Sequence, residues 1–137
     1  MKLKTYFIFF AFLLASKLSC EESNYQFIGS HFLVSYYQCD PQMLDDREGL
    51  ISAMTLAIEK SGATLLKMSD YQFTPHGVTL VALLSESHAS IHTYPEFGAC
   101  FVDFFTCGTK CDYKEFDKIL KQALGSQESF AQFIERR

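Results

Sequence analysis

The sequence predicts an α+β fold, a two-layer sandwich in which a largely antiparallel sheet carries two helices packed on one face. Three observations lead there. Runs rich in aromatic and β-branched residues are bounded by turn formers, two stretches repeat apolar residues at helical spacing, and the elements follow the order β-α-β-β-β-α-β. A chain of 137 residues fits one domain with a modest core.

Phe27 to Gln38 reads as the first strand, ended by the turn-like Cys39-Asp40-Pro41. From about Asp46 to Ser61, Leu50, Met54, Ala57 and Ile58 recur at helical spacing, and Gly62 supplies the stop. Ala63 to Phe73 and Val78 to Leu84 then read as a hairpin around Thr74-Pro75-His76-Gly77. Ala99 to Thr106 is a further strand. Asp112, with Glu115 three residues on, resembles a capping box opening a second helix whose apolar face is Phe116, Ile119, Leu120, Ala123 and Leu124. Gly125 ends it, and Phe130 to Ile134 forms a last short strand.

Composition narrows the function. A 48% apolar and 20% charged chain is that of an ordinary globular protein. The net charge of -4, with no basic stripe, argues against nucleic acid as a partner. Residues 1–20 stand apart: Lys2 and Lys4 precede the apolar run Tyr6 to Ala15, which is too short to span a bilayer and has the shape of a secretory signal, although Lys17 and Leu18 make a poor cleavage region. The bland alternative is an apolar N-terminal extension, leaving 21–137 as the folded domain. The cysteines (Cys20, Cys39, Cys100, Cys107, Cys111) form no CxxC pair and are odd in number, so neither a metal site nor a closed disulfide framework is indicated.

Leu83 to Gly108 reads LLSESHASIHTYPEFGACFVDFFTCG, gathering Ser85, Glu86, Ser87, His88, Ser90, His92, Glu96, Asp103 and Cys107. Taken singly, hydroxyls and imidazoles in such a stretch usually satisfy local backbone groups. A Ser-His-Asp hydrolase is a possible reading, but no GxSxG elbow is present. The pattern SESHASIHTYPE followed by DFFTCG, with FTPHGVT upstream and Gly29, His31 and Cys39-Asp40-Pro41 near the start, closely resembles the bacterial and archaeal S-adenosylmethionine decarboxylase proenzymes. The resemblance runs from about Phe27 to the C-terminus.

The resemblance implies a zymogen that cuts itself between Glu86 and Ser87, giving a β chain ending at residue 86 and an α chain of 87–137 headed by a pyruvoyl group made from Ser87. His92 matches the family histidine that moves protons during processing, a task suited to imidazole, and Thr79 matches a supporting hydroxyl. In turnover the pyruvoyl ketone forms a Schiff base with the substrate amine and acts as an electron sink. Cys107 matches the residue that returns a proton to the substrate carbon. Phe73 and Tyr94 match aromatic positions that stack the nucleoside and face the sulfonium, though plain packing is the alternative for both. Glu96 matches the carboxylate that holds the ribose hydroxyls. The implied product is decarboxylated S-adenosylmethionine for spermidine biosynthesis, and the implied working unit is a homodimer of cleaved protomers with no metal.

Leu80 stands where the family commonly has glycine and Ala89 where it has a larger apolar residue, and both are expected to reshape the pocket. The signal-like start also departs from a family that is typically cytoplasmic, the location the chemistry favours, since export would threaten Cys107. Two alternatives remain open: an arginine or ornithine decarboxylase with the same pyruvoyl chemistry, and an exported noncatalytic binding protein on the same fold.

Overall fold

The computed structural model describes residues 27–107 and 110–137; the signal-like segment and Cys20 lie outside the described residues. The elements are β1 (Gly29–Tyr37), α1 (Pro41–Asp45), α2 (Arg47–Lys60), β2 (Leu65–Gln72), β3 (Val78–Leu84), β4 (Ser87–Tyr94), a 3₁₀ turn (Pro95–Phe97), β5 (Ala99–Cys107), α3 (Tyr113–Ala123) and β6 (Glu128–Arg136). The strands form one six-stranded sheet in the order β2-β3-β4-β5-β1-β6, antiparallel at every pairing. The predicted two-layer α+β architecture is therefore present, with one strand and one short helix more than the sequence pattern gave.

The added strand is β4, the segment SHASIHTY. Its hydroxyls and imidazoles suit a turn, yet alternate residues bury: Ala89, Ile91 and Thr93 face the helices, while Ser90 and His92 are only half-buried. Tertiary pairing on both sides, to β3 and β5, outweighs local propensity. The added helix is α1, opened by Pro41 in the first turn and by the Asp40 side chain, which accepts from Gln42 N. Asp46 caps α2 by accepting from Gly49 N, and Asp112 caps α3 by accepting from Lys114 N and Glu115 N. Gly62 and Gly125, at φ of 85° and 63°, take the left-handed conformation that stops α2 and α3.

The core lies between the helices and one sheet face. Leu50, Met54, Ala57 and Ile58 of α2 and Phe116 and Leu120 of α3 meet Phe32, Val34, Leu80, Ala82, Ile91, Val102 and Phe104 from the strands, and Phe104 stacks on Phe116 with ring centroids 4.2 Å apart. Leu80 and Ala89 are fully buried in this layer. They pack the core on the helix side of the sheet, the side that Ala89 shares by alternation with Ser87 two residues before it. The opposite face has no covering layer among the described residues. It exposes Tyr71, Phe73, Val81, Leu83, Tyr94, Phe101, Phe130 and Ile134. No helix of the described residues is long and apolar enough to cross a membrane.

Candidate active site

The chemistry-bearing residues sit along β4 and its two neighbours. At the head of β4, Glu86 and Ser87 close the tight connection from β3. Ser87 is opposite Thr106 in the register, and the Cys107 N–H donates to the Glu86 carbonyl at 2.8 Å. Ser87 has a φ of 155°, far from the value of roughly -140° of regular antiparallel strand and at the edge of the region that side chains make costly. The bond between Glu86 and Ser87 therefore joins a strained residue to a carbonyl already held by a backbone donor.

The Glu86 side chain is held as well. Thr64 donates to its carboxylate from the backbone N at 2.9 Å and from Oγ1 at 3.2 Å, and the Ser85 N–H returns a bond to the Thr64 carbonyl at 3.0 Å. Cys111 lies close enough that its thiol is pushed up, first by burial and then by the Glu86 charge. Thr64 escaped sequence reading because 22 residues of chain separate it from Glu86, and a lone threonine after a helix carries no signal. Beside this corner a cavity of about 120 Å³ is lined by Phe27, Gly29, Phe105, Cys107 and Arg136 among others. A Cβ on Gly29 would meet the Phe105 ring at 2.5 Å, so a larger residue there would have to displace that ring.

Farther along the sheet, Thr79 and His92 are register partners, and Thr79 Oγ1 lies 2.9 Å from His92 Nδ1. Phe73, Tyr94 and Glu96 lie beyond them. Phe73 closes the β2–β3 connection through its N–H to the Gly77 carbonyl, Tyr94 ends β4 with its ring 5.6 Å from Phe101, and Glu96 is exposed on the 3₁₀ turn. A strand rises about 3.3 Å per residue, which puts His92 roughly 16 Å and Tyr94 roughly 23 Å from Ser87 along β4. Within one chain the predicted residues thus form two groups, Glu86, Ser87 and Cys107 at one end, and Thr79, His92, Phe73, Tyr94 and Glu96 toward the other.

Between the groups lies a polar cluster. His31 Nε2 is 3.2 Å from Asp103 Oδ1, and Ser90 Oγ donates to Asp103 Oδ2 at 3.4 Å. The carboxylate sits in the middle, so no imidazole reaches the serine, which removes the hydrolase reading for this trio. His31 and His88 pack around Phe105, at 5.4 Å and 5.5 Å between centroids. Among the described residues no group of acidic, histidine or cysteine side chains is arranged to hold a metal ion.

The comparisons with known proteins agree with one another. The family model described as S-adenosylmethionine decarboxylase matches residues 30–137. The S-adenosylmethionine decarboxylase proenzyme of Parasynechococcus marenigrum is 44% identical over 100 residues, covering 73% of this chain and 78% of that protein. The proenzyme of Thermosipho africanus is 42% identical over 100 residues, covering 73% and 77%. The crystal structure of the adenosylmethionine decarboxylase from Aquifex aeolicus superposes with a TM-score of 0.74 at 34% identity, over 80% of this chain and 90% of that one.

Proposed function

The chain belongs to the S-adenosylmethionine decarboxylase family, and from that premise we propose that it is a self-cleaving proenzyme that decarboxylates S-adenosylmethionine through a pyruvoyl group made from Ser87. The observation that carries the reading is the hydrogen bond from the Cys107 N–H to the Glu86 carbonyl. Addition of Ser87 Oγ to that carbonyl carbon puts negative charge on its oxygen, where a preorganised donor is worth most. Collapse with loss of the Ser87 nitrogen gives an ester. Removal of the Ser87 α-proton then expels residue 86 as a carboxylate, and hydrolysis of the resulting unsaturated amine releases ammonia and leaves the pyruvoyl group on 87–137. The fixed Glu86 side chain keeps the carbonyl in place while this happens.

The residues around Ser87 fit that group: the Glu86 carbonyl before it is held by a backbone donor, and Cys107 on the neighbouring strand lines a cavity beside it. The pyruvoyl ketone supplies an electron sink for the charge left by departing carbon dioxide. Cys107 serves as the acid that returns a proton to the substrate carbon, which requires its thiol to stay free. Phe73 and Tyr94 stack the adenine and face the sulfonium, and Glu96 accepts from the ribose hydroxyls. A reducing, cytoplasmic setting suits both the substrate and the thiol.

The gap of roughly 16 Å from Ser87 to His92 requires more than one chain. We infer a twofold homodimer in which the exposed sheet faces pack together, their strands running so that the partner's His92 reaches the Ser87 end of β4. The apolar side chains on that face supply the burial, and Phe73, Tyr94 and Glu96 then serve the neighbour's pocket. Intact mass of the purified protein tests the proposal, with release of labelled carbon dioxide from S-adenosylmethionine measured on the same sample. Two fragments divided at Glu86–Ser87, with release from this substrate and not from arginine or ornithine, are expected. An uncut chain with no release overturns it.

A further inference from the structure

Two thiols that the decarboxylation does not use lie against each other in the core, and they belong to opposite sides of the cleavage point. Cys39, at the exit of β1, and Cys100, in β5, are both buried. The backbone brings them together: Tyr36 is opposite Cys100 in the register, and the Cys39 N–H donates to the Gly98 carbonyl at 2.9 Å. The contact has a chemical signature. Hydrogen bonding from Cys100 holds the Cys39 thiol below its ordinary value, while that same interaction and burial push Cys100 up. One sulfur is therefore prepared to be the thiolate and the other to remain a thiol beside it.

We propose that Cys39 and Cys100 are a site of oxidative cross-linking, whose disulfide ties the fragment ending at Glu86 to the fragment beginning at Ser87. Only this second clause rests on the self-cleavage reading. The oxidant is a disulfide of the glutathione class. The Cys39 thiolate attacks one sulfur of oxidised glutathione and releases the first glutathione thiol; Cys100, losing its proton, attacks the Cys39 sulfur of the mixed disulfide and releases the second. One disulfide is reduced, two protein thiols are oxidised, and two protons leave. Access comes through the β1–α1 junction, where Gln38 and Asp40 flank Cys39 in exposed positions and Gln38 sits at a φ of 51° that a side chain tolerates poorly. Cys107 takes no part, so oxidation at this pair leaves the proton donor free.

The full-length protein is equilibrated with oxidised glutathione, remaining thiols are blocked with N-ethylmaleimide, and the chain is cut after Glu and Asp. Cutting at Asp103 separates Cys100 from Cys107. The expected product is residues 23–45, the Asp40–Pro41 bond being resistant, disulfide-linked to residues 97–103, absent from Cys39→Ser protein and from a sample treated with dithiothreitol before blocking. Recovery of both peptides only as separate blocked species, or of Cys39 joined to residues 104–112, overturns the proposal. Gels of the same blocked samples before digestion read the cleavage independently. Two bands with reductant and one without is the full result; one band under both conditions together with the linked peptide means that the self-cleavage reading has failed while the cross-link stands.

Discussion

The two ends of β4 are built by different means. At the Ser87 end the backbone does the positioning: a peptide N–H holds the Glu86 carbonyl, two donors from Thr64 hold the Glu86 carboxylate, and Ser87 itself is at an unusual φ. At the Tyr94 end side chains do the work. Thr79 orients His92, and Phe73 and Tyr94 remain exposed on an open face. On the proposed reading, one end holds the bond to be broken without a proton carrier beside it, and the other holds the proposed proton carrier and the aromatic groups with nothing for them to act on. Each end lacks what the other holds, about 16 Å or more away on the same strand.

That division is broken or upheld most sharply by combining Ser87→Ala and His92→Ala. Each variant alone is expected to remain uncut. In a hybrid dimer the His92→Ala chain keeps Ser87 and meets the partner's His92, so that chain alone is expected to be cut, giving an all-or-none change read by mass. Failure in proven hybrids would place both residues' work within one chain and reject the facing of the two ends. Next in size, Cys107→Ala keeps its backbone N–H and is expected to cleave but to lose turnover about a hundredfold or more. Wild-type release of carbon dioxide by the cleaved variant removes the thiol from the reaction.

Sequence reading found both ends as one dense segment and could not see that they were ends. The family pattern runs through Ser87, His92 and Tyr94 in eight residues, which looks compact on paper; only pairing of β4 on both sides, to β3 and β5, makes that segment extended. The helices were legible because their caps and apolar spacing are local, as at Asp46 and Asp112. The donor to the Glu86 carbonyl was illegible because a backbone N–H carries no residue identity. The Cys39–Cys100 contact was hidden for a different reason: an odd cysteine count argues against pairing, whereas the fold decides which two meet.

A smaller effect is expected at the side-chain hold on Glu86. Thr64→Val removes only the Oγ1 bond at 3.2 Å and leaves the backbone donor. Loss of one exposed hydrogen bond to a carboxylate is worth about 1 kcal/mol, so cleavage is expected to slow roughly several-fold while the turnover of already cleaved protein stays the same. Cleavage at an unchanged rate would mean that the backbone donors alone fix the Ser87 end.

The smallest effect belongs to the buried face, and it serves as the control for both ends. Tyr36 is fully buried on the helix side of β1 and donates to Asp117 Oδ1 at 2.6 Å. Burial, followed by the Asp117 hydrogen bond and charge, pushes its phenol well above the usual range. A raised folded value means that the neutral phenol stabilises the fold fully below the unfolded pKa of about 10 and loses that contribution as pH rises above it. Tyr36→Phe is therefore expected to cost about 1 kcal/mol near neutral pH and to flatten the alkaline loss of stability, measured by urea unfolding between pH 7 and 11. Cys100 and Cys111, also pushed up, contribute to both proteins and largely cancel in the difference. Cleavage and turnover at neutral pH are expected to stay unchanged, because this side chain is opposite Cys100, six positions along β5 from the Thr106 that pairs with Ser87; a matching loss of cleavage would show that the helix layer shapes the Ser87 corner.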